Sequence, residues 1–308
     1  MKRPLPRLAL THALAWIVGS SLVTSVCGHL GFRAYFAHVY KQANDPQYKL
    51  RTLVQTGPQK QALKTEYLAE LLGLSSDAPA SSLTYDLRAA EQKLRASPLI
   101  EQVQLKMIQP GTLYVDYTVR QPVAWLYDYE NVAIDKEGHP FPFRPFFTPK
   151  NLPELYFGMG PFGIASEDPD RPVAKWGAPI SGKYAVLALH LLSLLSDLKI
   201  QELFQVKRID VSQAFAESYG SREIVVIVED KILEKQIEFF FPKILRLSTQ
   251  NYAQDLGNYL TLRPKLLEQE RKSIRNLSPG QAIVRAKEKI LDFRIQNLAF
   301  IDEAQEAL

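Results

Sequence analysis

Five histidines and one cysteine are the first side chains to test for chemistry in this chain of 308 residues. His12, His29, His38, His139 and His190 are scattered, and no two stand at the His-x-x-x-His spacing that turns paired imidazoles toward one metal. His190 falls among leucines, where a histidine at the rim of a core is the ordinary reading. Cys27 closes a long uncharged segment, so the remainder of the chain has no thiol nucleophile, and no Gly-x-Ser-x-Gly elbow occurs. Gly158-Met159-Gly160-Pro161-Phe162-Gly163 has the spacing of a dinucleotide-binding loop. Pro161 removes a backbone donor from that cradle, however, and Pro169 and Pro172 stand where the phosphate-binding helix should begin. A flexible surface loop is expected there. The carboxylate pairs Glu167-Asp168 and Glu229-Asp230 read as solvated charge at loops or strand ends. No catalytic, metal-binding or cofactor-binding residue is predicted, which points to a binding protein rather than an enzyme.

Thirty-seven basic and 33 acidic residues leave a net charge of +4 with both signs mixed along the chain. No basic stripe interleaves with stacking aromatics, which disfavours nucleic acid as a partner. Lys2, Arg3 and Arg7 precede a run from Leu8 to Val26 that holds no Asp, Glu, Lys or Arg. As a helix it would measure roughly 28 Å, enough for the hydrocarbon core of a bilayer. A cleaved signal peptide and a lipoprotein site at Cys27 are the alternatives. The first needs a shorter apolar core and a small-x-small site that Val26-Cys27-Gly28 supplies poorly, and the bulky Val26 weakens the second. A retained single span is expected, with a cytoplasmic N-terminus set by the leading Lys and Arg. The sequence beyond it is long enough for two ordinary domains without disulfides.

The elements that follow are legible in their periodicity. Tyr48 to Val54 alternates weakly, like a strand. Ala62 to Leu72 and Tyr85 to Leu94 carry apolar residues at helical spacing. Gln104 to Ile108 and Thr112 to Arg120 alternate across Pro110-Gly111, the pattern of a hairpin, with Leu113, Val115, Tyr117 and Val119 on one face. Further on, short strands are expected at Trp125 to Asp128 and Val132 to Asp135, around a turn at Lys136-Glu137-Gly138-His139. Five prolines between Pro140 and Pro153 imply an extended surface path. Tyr184 to Leu198 and Thr249 to Leu262 read as helices, and Val206 to Val211, Glu223 to Val228 and Gln236 to Phe241 as strands. Leu266 to Lys289 reads as a charged connector broken at Ser278-Pro279-Gly280, and residues 290–301 as one late strand with a wet face. The fold class is α+β: an N-terminal transmembrane helix, a small α/β module, and a mixed β-rich domain with packed helices and a C-terminal edge strand.

Several of these stretches carry a resemblance. Leu83-Thr84-Tyr85-Asp86 at a helix start, Leu94-Arg95-Ala96-Ser97-Pro98, Ile100 with Val103, Pro110-Gly111-Thr112-Leu113 and Pro122-Val123-Ala124-Trp125 resemble a POTRA module of the FtsQ/DivIB family of bacterial cell-division proteins. Asp135-Lys136-Glu137-Gly138-His139-Pro140-Phe141, Leu152-Pro153-Glu154-Leu155 and Asp292-Phe293-Arg294-Ile295 resemble successive parts of that family's β domain. Ile295 replaces the aromatic usual in the last motif, and the glycine that follows in the family is absent. The resemblance implies residues 1–7 as a cytoplasmic tail, 8–31 as the transmembrane helix, 32–47 as a juxtamembrane linker, 48–121 as the POTRA-like domain, 122–301 as the β domain and 302–308 as a tail. It implies a non-enzymatic divisome scaffold in the bacterial inner membrane, with its C-terminal domains periplasmic and at the septum, which helps regulate septal peptidoglycan synthesis. Its implied partners are FtsB- and FtsL-like proteins, and beyond them FtsK-, FtsW- or FtsI-like ones, with no small-molecule substrate.

In that family the final strand is an exposed edge that pairs with a partner. The residues implied here are Lys289, Ile290, Leu291, Asp292, Phe293, Arg294, Ile295, Gln296, Asn297, Leu298, Ala299, Phe300 and Ile301. Unpaired edge N–H and C=O groups would give affinity, and side chains would give register. The residue pattern alone favours a strand that merely closes its own domain, since most strands have no external partner, and the resemblance reverses that reading. Two other functional classes stay open: a POTRA-bearing envelope assembly or secretion factor, and an exported enzyme acting on cell-wall polymers.

Overall fold

The computed structural model describes residues 7–108, 110–165, 168–234, 237–274, 283–296 and 298–303. The chain is a mixed α+β protein in two compact units, Met1–Arg95 with Gln102–Thr118, and Ala96–Glu101 with Val119–Leu308.

The first unit begins with α1 (Arg7–Asn44), one continuous helix whose stretch His12–Gln42 is long and apolar enough to cross a membrane. Its described side chains are almost all exposed, Trp16 at 79% and Ile17 at 63% among them. A helix that is apolar on every side has no single core to face. The hydroxyls that dilute its hydropathy turn back on the helix itself. Ser20 Oγ donates to the Ile17 carbonyl at 3.0 Å, Ser21 Oγ to that of Val18 at 2.9 Å, and Thr24 Oγ1 to that of Ser20. Residues 32–44, expected as part of a linker, continue the helix because they contain neither Gly nor Pro. Asp45 is extended before Pro46, which ends the run.

A βααββ module follows: β1 (Thr52–Thr56), α2 (Thr65–Leu71), α3 (Leu87–Arg95), β2 (Ile100–Ile108) and β3 (Thr112–Val119). The sheet order is β1-β3-β2, with β1 parallel to β3 and Leu53 opposite Leu113. Alternation in β3 buries Leu113, Val115, Tyr117 and Val119, the face read from the sequence, and Leu68, Leu72, Ala90 and Leu94 of the helical segments are buried as well. The buried Tyr117 hydroxyl accepts from Leu63 N–H at 3.0 Å and donates to Gln55 Oε1 at 2.8 Å, so the phenol is satisfied inside the core. Asp86 caps α3 by accepting from the N–H groups of Arg88 and Ala89. Gly111 has no room for a side chain: a Cβ would lie 2.3 Å from the Lys49 carbonyl oxygen.

The second unit is built on one sheet of ten strands. In chain order its elements are β4 (Ala124–Leu126), β5 (Val132–Ile134), β6 (Pro140–Pro142), β7 (Glu154–Tyr156), α4 (Lys183–Leu195), α5 (Leu198–Gln201), β8 (Gln205–Asp210), β9 (Ile224–Glu234), β10 (Ile237–Leu247), α6 (Tyr252–Ile274), β11 (Ile283–Arg285), β12 (Lys289–Asp292) and β13 (Phe300–Glu303). The spatial order is β13-β12-β10-β9-β8-β7-β4-β5-β6, with β11 also on β10.

Two crossovers determine which face is covered. β7 connects through α4 and α5 to its parallel neighbour β8, and β10 connects through α6 to its parallel neighbours β11 and β12. Both crossovers step in the same direction from strands that point the same way, because β8 and β10 are each antiparallel to β9. Right-handed connections therefore put α4 and α6 on one face. There Tyr184, Leu191, Leu195, Leu256 and Tyr259 bury against Leu126, Leu155, Ile209, Val226, Val228, Leu245 and Leu291. The opposite face carries Val225, Ile227, Ile244, Arg246, Ile290 and Asp292, all partly exposed.

Several expected elements differ in extent. β9 and β10 run on to meet in one long hairpin, beyond the expected ends at Val228 and Phe241. Pro242 lies inside β10 because the flank it cannot supply with an N–H is the gap between β11, opposite residues 238–240, and β12, opposite residues 243–246. α6 continues through Pro264 to Ile274 and absorbs the first part of the expected connector, and the break predicted at Ser278-Pro279-Gly280 lies outside the described residues.

Candidate partner-binding edge

The two ends of the ten-stranded sheet differ chemically. At one end β6 presents Pro140 and Pro142, opposite Ile134 and Val132, and proline has no backbone N–H to offer a further strand. At the other end lies β13, antiparallel to β12, with no proline and with Phe300 and Ile301 at 55% and 51% exposure.

The sequence reading of residues 289–301 as one exposed strand is corrected by this geometry. Lys289, Ile290, Leu291 and Asp292 form β12, which pairs on both flanks: with Lys243–Arg246 of β10 and with Phe300–Glu303 of β13. Phe293 is buried and its N–H donates to the Arg246 carbonyl at 2.9 Å. Arg294, Ile295, Gln296, Leu298 and Ala299 belong to the reversal between the two strands, closed in part by Leu298 N–H on the Ile295 carbonyl at 3.1 Å. Asn297 lies outside the described residues. Among the described residues, no strand pairs with the outer flank of β13 or with that of β11.

Asp292 is the physical reason the strand turns back. Its Oδ1 accepts from the Arg294 backbone N–H at 3.0 Å, an Asx turn that diverts the chain after one more ladder bond. The same carboxylate receives Arg294 Nε at 3.0 Å and Nη2 at 2.7 Å, a two-point clamp. Glu223 completes the cluster, 2.6 Å from Arg246 and 3.3 Å from Arg294. Burial pushes the Asp292 carboxyl upward, but the bonds from Arg294 and the charges of Arg294 and Arg246 outweigh it and hold the group below its usual range. Beside this turn is a cleft of about 500 Å³ lined by Tyr219, Arg222, Asn251, Arg294, Ile295 and Phe300, among others. The Arg222 guanidinium lies over the Tyr219 ring at 4.1 Å.

Behind the edge, a buried ionic network ties α6 to the sheet. Lys243 is fully buried; its Nζ lies 2.7 Å from Asp230 Oδ2 and 3.1 Å from Glu270 Oε1. Arg263 reaches the other Asp230 oxygen at 2.6 Å, and Lys289, the first residue of β12, lies 3.6 Å from Glu270. Burial, and then the charge of Asp230, push the Tyr259 hydroxyl far above its usual range, so it stays a neutral donor to Asp230. Glu229 is buried as well and meets Lys207 at 3.0 Å and Arg285 at 3.3 Å. The expectation of solvated charge at Glu229-Asp230 is therefore overturned. A signal existed in the sequence: Phe239, Phe241, Lys243, Leu245 and Leu247 share one strand face, and a lysine inside a core-facing series requires a buried counter-charge.

The other candidates resolve into structural roles. His190 Nδ1 meets the Tyr252 hydroxyl at 2.5 Å, joining α4 to α6. Asp135, Glu137 and His139 bring ligand atoms within 4.8 Å of one another. Asp135 Oδ1, however, accepts the N–H groups of Glu137 and His139, both at 2.9 Å, and its Oδ2 holds Arg120 at 2.6 Å. That arrangement locks a turn. The glycine-rich segment is not a loose loop: Asp128 accepts from Phe157 N–H at 3.0 Å and Met159 N–H at 2.6 Å, and Arg171 donates to the Phe157 and Ser212 carbonyls. Burial, opposed by those bonds, leaves the Asp128 carboxyl raised. Of the predicted edge residues, the structure gathers Lys289–Asp292, Phe300 and Ile301 at one end of the sheet. Glu223, Arg246 and Arg285, which the sequence did not single out, stand beside them.

Comparison of the sequence with protein-family models and with curated proteins finds no match.

Proposed function

We propose that this chain is a non-enzymatic, membrane-anchored scaffold of the FtsQ/DivIB type, which binds FtsB- and FtsL-like division proteins and helps regulate septal peptidoglycan synthesis. The observation that carries the reading is the asymmetry of the ten-stranded sheet, whose β6 end is sealed by prolines while, among the described residues, no strand pairs with the outer flank of β13 or of β11. Such an edge is a template for an added strand. The βααββ module with order β1-β3-β2 supports a POTRA-like domain ahead of that sheet.

Helix α1 supports the anchor. Its apolar surface suits lipid, and Phe32, Tyr35, Phe36 and Tyr40 would sit in the interfacial layer on the far side. A single span confines the protein to the membrane, where tethering raises the effective concentration of partners that also span it. In this reading the N-terminus is cytoplasmic, and the βααββ module and the β-rich unit are periplasmic at the division site. The test combines two assays: co-purification of the full chain with co-expressed FtsB- and FtsL-like proteins, and localisation of a fluorescent fusion. Joint recovery and a septal band are expected. Uniform membrane fluorescence together with no recovered partner would refute the reading.

A further inference from the structure

We propose that a cleft near the proline-bearing end of the ten-stranded sheet, formed by Trp125, Tyr127, Glu130 and Arg144, binds an acidic sugar, a pyranose ring that carries a carboxylate. The inference goes beyond the scaffold reading and does not depend on it. The cleft has a volume of about 500 Å³ and is lined by Trp125, Tyr127, Glu130, Asn131, Arg144 and Glu154, among others.

Strand alternation sets its floor. Leu126 is buried in the core that includes α4, so its neighbours Trp125 and Tyr127 stand on the opposite face of the sheet. Tyr127 follows β4 directly, and its N–H still pairs with the Leu155 carbonyl at 2.9 Å. Both rings are held by their neighbours. Trp125 lies 4.4 Å from the Phe143 ring, Tyr127 meets Tyr156 edge-on at 5.6 Å, and the Arg208 guanidinium lies over Tyr127 at 3.8 Å. Tyr127 is still 48% exposed. Rings that are open yet already fixed offer the apolar C–H face of a sugar a contact at little cost in side-chain entropy.

The polar groups of the cleft divide into those already engaged and those left over. Glu154 receives Arg208 through Nε at 2.8 Å and Nη2 at 2.6 Å. Asn131, in the left-handed region at φ 59°, commits its whole amide to the backbone of Arg144. Its Oδ1 accepts the Arg144 N–H at 2.8 Å and its Nδ2 donates to the Arg144 carbonyl at 3.2 Å. That clamp fixes the point from which the Arg144 side chain leaves the backbone. Arg144 and Glu130 are exposed. Among the described residues, no hydrogen bond or ion pair engages the Arg144 guanidinium, the Glu130 carboxylate or the Trp125 indole N–H.

The unengaged groups select the ligand. A guanidinium offers a carboxylate two parallel N–H groups, a fit that lysine cannot reproduce. The Glu130 carboxylate, an acceptor only, calls for hydroxyl or amide donors, and the indole N–H calls for an acceptor. A pyranose with one carboxylate and several hydroxyls supplies all three, and its apolar face meets the two rings. An extended peptide gains less at this end of the sheet, because Pro140 and Pro142 of β6 have no N–H to give its backbone.

The test uses two matched pairs of sugars: N-acetylmuramic acid with N-acetylglucosamine, which differ by one lactyl carboxylate, and glucuronic acid with glucose. Saturation-transfer NMR titrations compare them on the full chain, in a detergent without a sugar headgroup, for the parent, Arg144→Gln and Tyr127→Ala. In at least one pair the acidic sugar should bind the parent about tenfold or more tighter than its neutral twin. Arg144→Gln should bring the twins to one affinity without changing that of the neutral sugar. Tyr127→Ala should weaken both alike. Arg144 is exposed, so its variant should keep the parent's melting transition.

No signal from either acidic sugar at roughly 10 mM would overturn the proposal. Equal affinity within both pairs, or a preference that survives Arg144→Gln, would do the same. So would alanylglutamate binding as tightly as the better acidic sugar, which would make the cleft a peptide site.

Discussion

Lys243→Met is the most severe single test of how the β-rich unit is held together. The substitution conserves much of the side-chain volume and deletes one ammonium from a fully buried position. Asp230 keeps Arg263 at 2.6 Å, but Glu270 loses the Lys243 ammonium at 3.1 Å and keeps Lys289 at 3.6 Å. Breaking a buried ion pair by removing one member costs about 3–5 kcal/mol, because the remaining charge has lost its compensation. In a domain of roughly 150–250 residues, each kcal/mol lowers Tm by about 2–4 °C, so the unit should melt roughly 6–20 °C lower. Removing both charges, as Lys243→Met with Glu270→Leu, should recover most of that loss, since an apolar replacement of a buried pair is often neutral or stabilising. Urea unfolding of the full chain in detergent, followed by circular dichroism for the parent, both singles and the double, yields the coupling energy directly. A Lys243→Met cost below about 1 kcal/mol, or a double variant less stable than Lys243→Met, would refute the argument that Glu270 is the stranded partner.

Other consequences follow from the same contacts. Pro140→Val with Pro142→Val restores two N–H donors on β6 and should produce concentration-dependent self-association by light scattering, since the blunted edge becomes a template. Gly111→Ala drives a Cβ to 2.3 Å from the Lys49 carbonyl and should destabilise the βααββ unit by more than about 1 kcal/mol, leaving protection of β9 and β10 amides unchanged in hydrogen exchange. Asp292 is held below its ordinary value when folded, so its contribution is complete above the unfolded carboxylate range near about pH 4 and is lost as pH falls through the folded value. Exchange of the Arg294 amide should therefore accelerate, relative to β10, only on acidification, and Asp292→Asn should flatten that dependence. Asp128 has the opposite sign: raised by burial, it favours the fold more as pH falls through its folded value, the gain being complete below the unfolded carboxylate value, and Asp128→Asn should remove that slope.

Much of the architecture was readable because local patterns and tertiary roles agree. The alternation of Leu113, Val115, Tyr117 and Val119 is the buried face of β3, and Leu187, Leu191 and Leu195 are the buried stripe of α4. The misreadings arose where a local breaker is overruled by packing, or where a side chain competes with the ladder. Pro242 and Pro264 stand just beyond the ends expected for the strand at Phe241 and the helix at Leu262. The structure absorbs the first at a gap between neighbouring strands and carries the second inside a helix whose Leu266 and Glu270 are buried. Residues 290–301 alternate well enough to be one strand, yet Asp292 captures Arg294 and reverses the chain. Acidic pairs carry no mark of burial in themselves. Only the phase of Lys243 within its strand hinted that Asp230 and Glu270 face inward. The edge at β13 depends on long-range pairing order, which periodicity does not encode.

Photocrosslinking in dividing cells tests the central claim most directly. A photoreactive residue is placed singly at Arg285, Lys287, Phe300 and Asp302, and as a contrast at Phe141 and Pro142 on the sealed end. The account predicts adducts between the first group and another membrane division protein, with none from the second. Adducts spread equally over both ends of the sheet, or confined to β6, would contradict it.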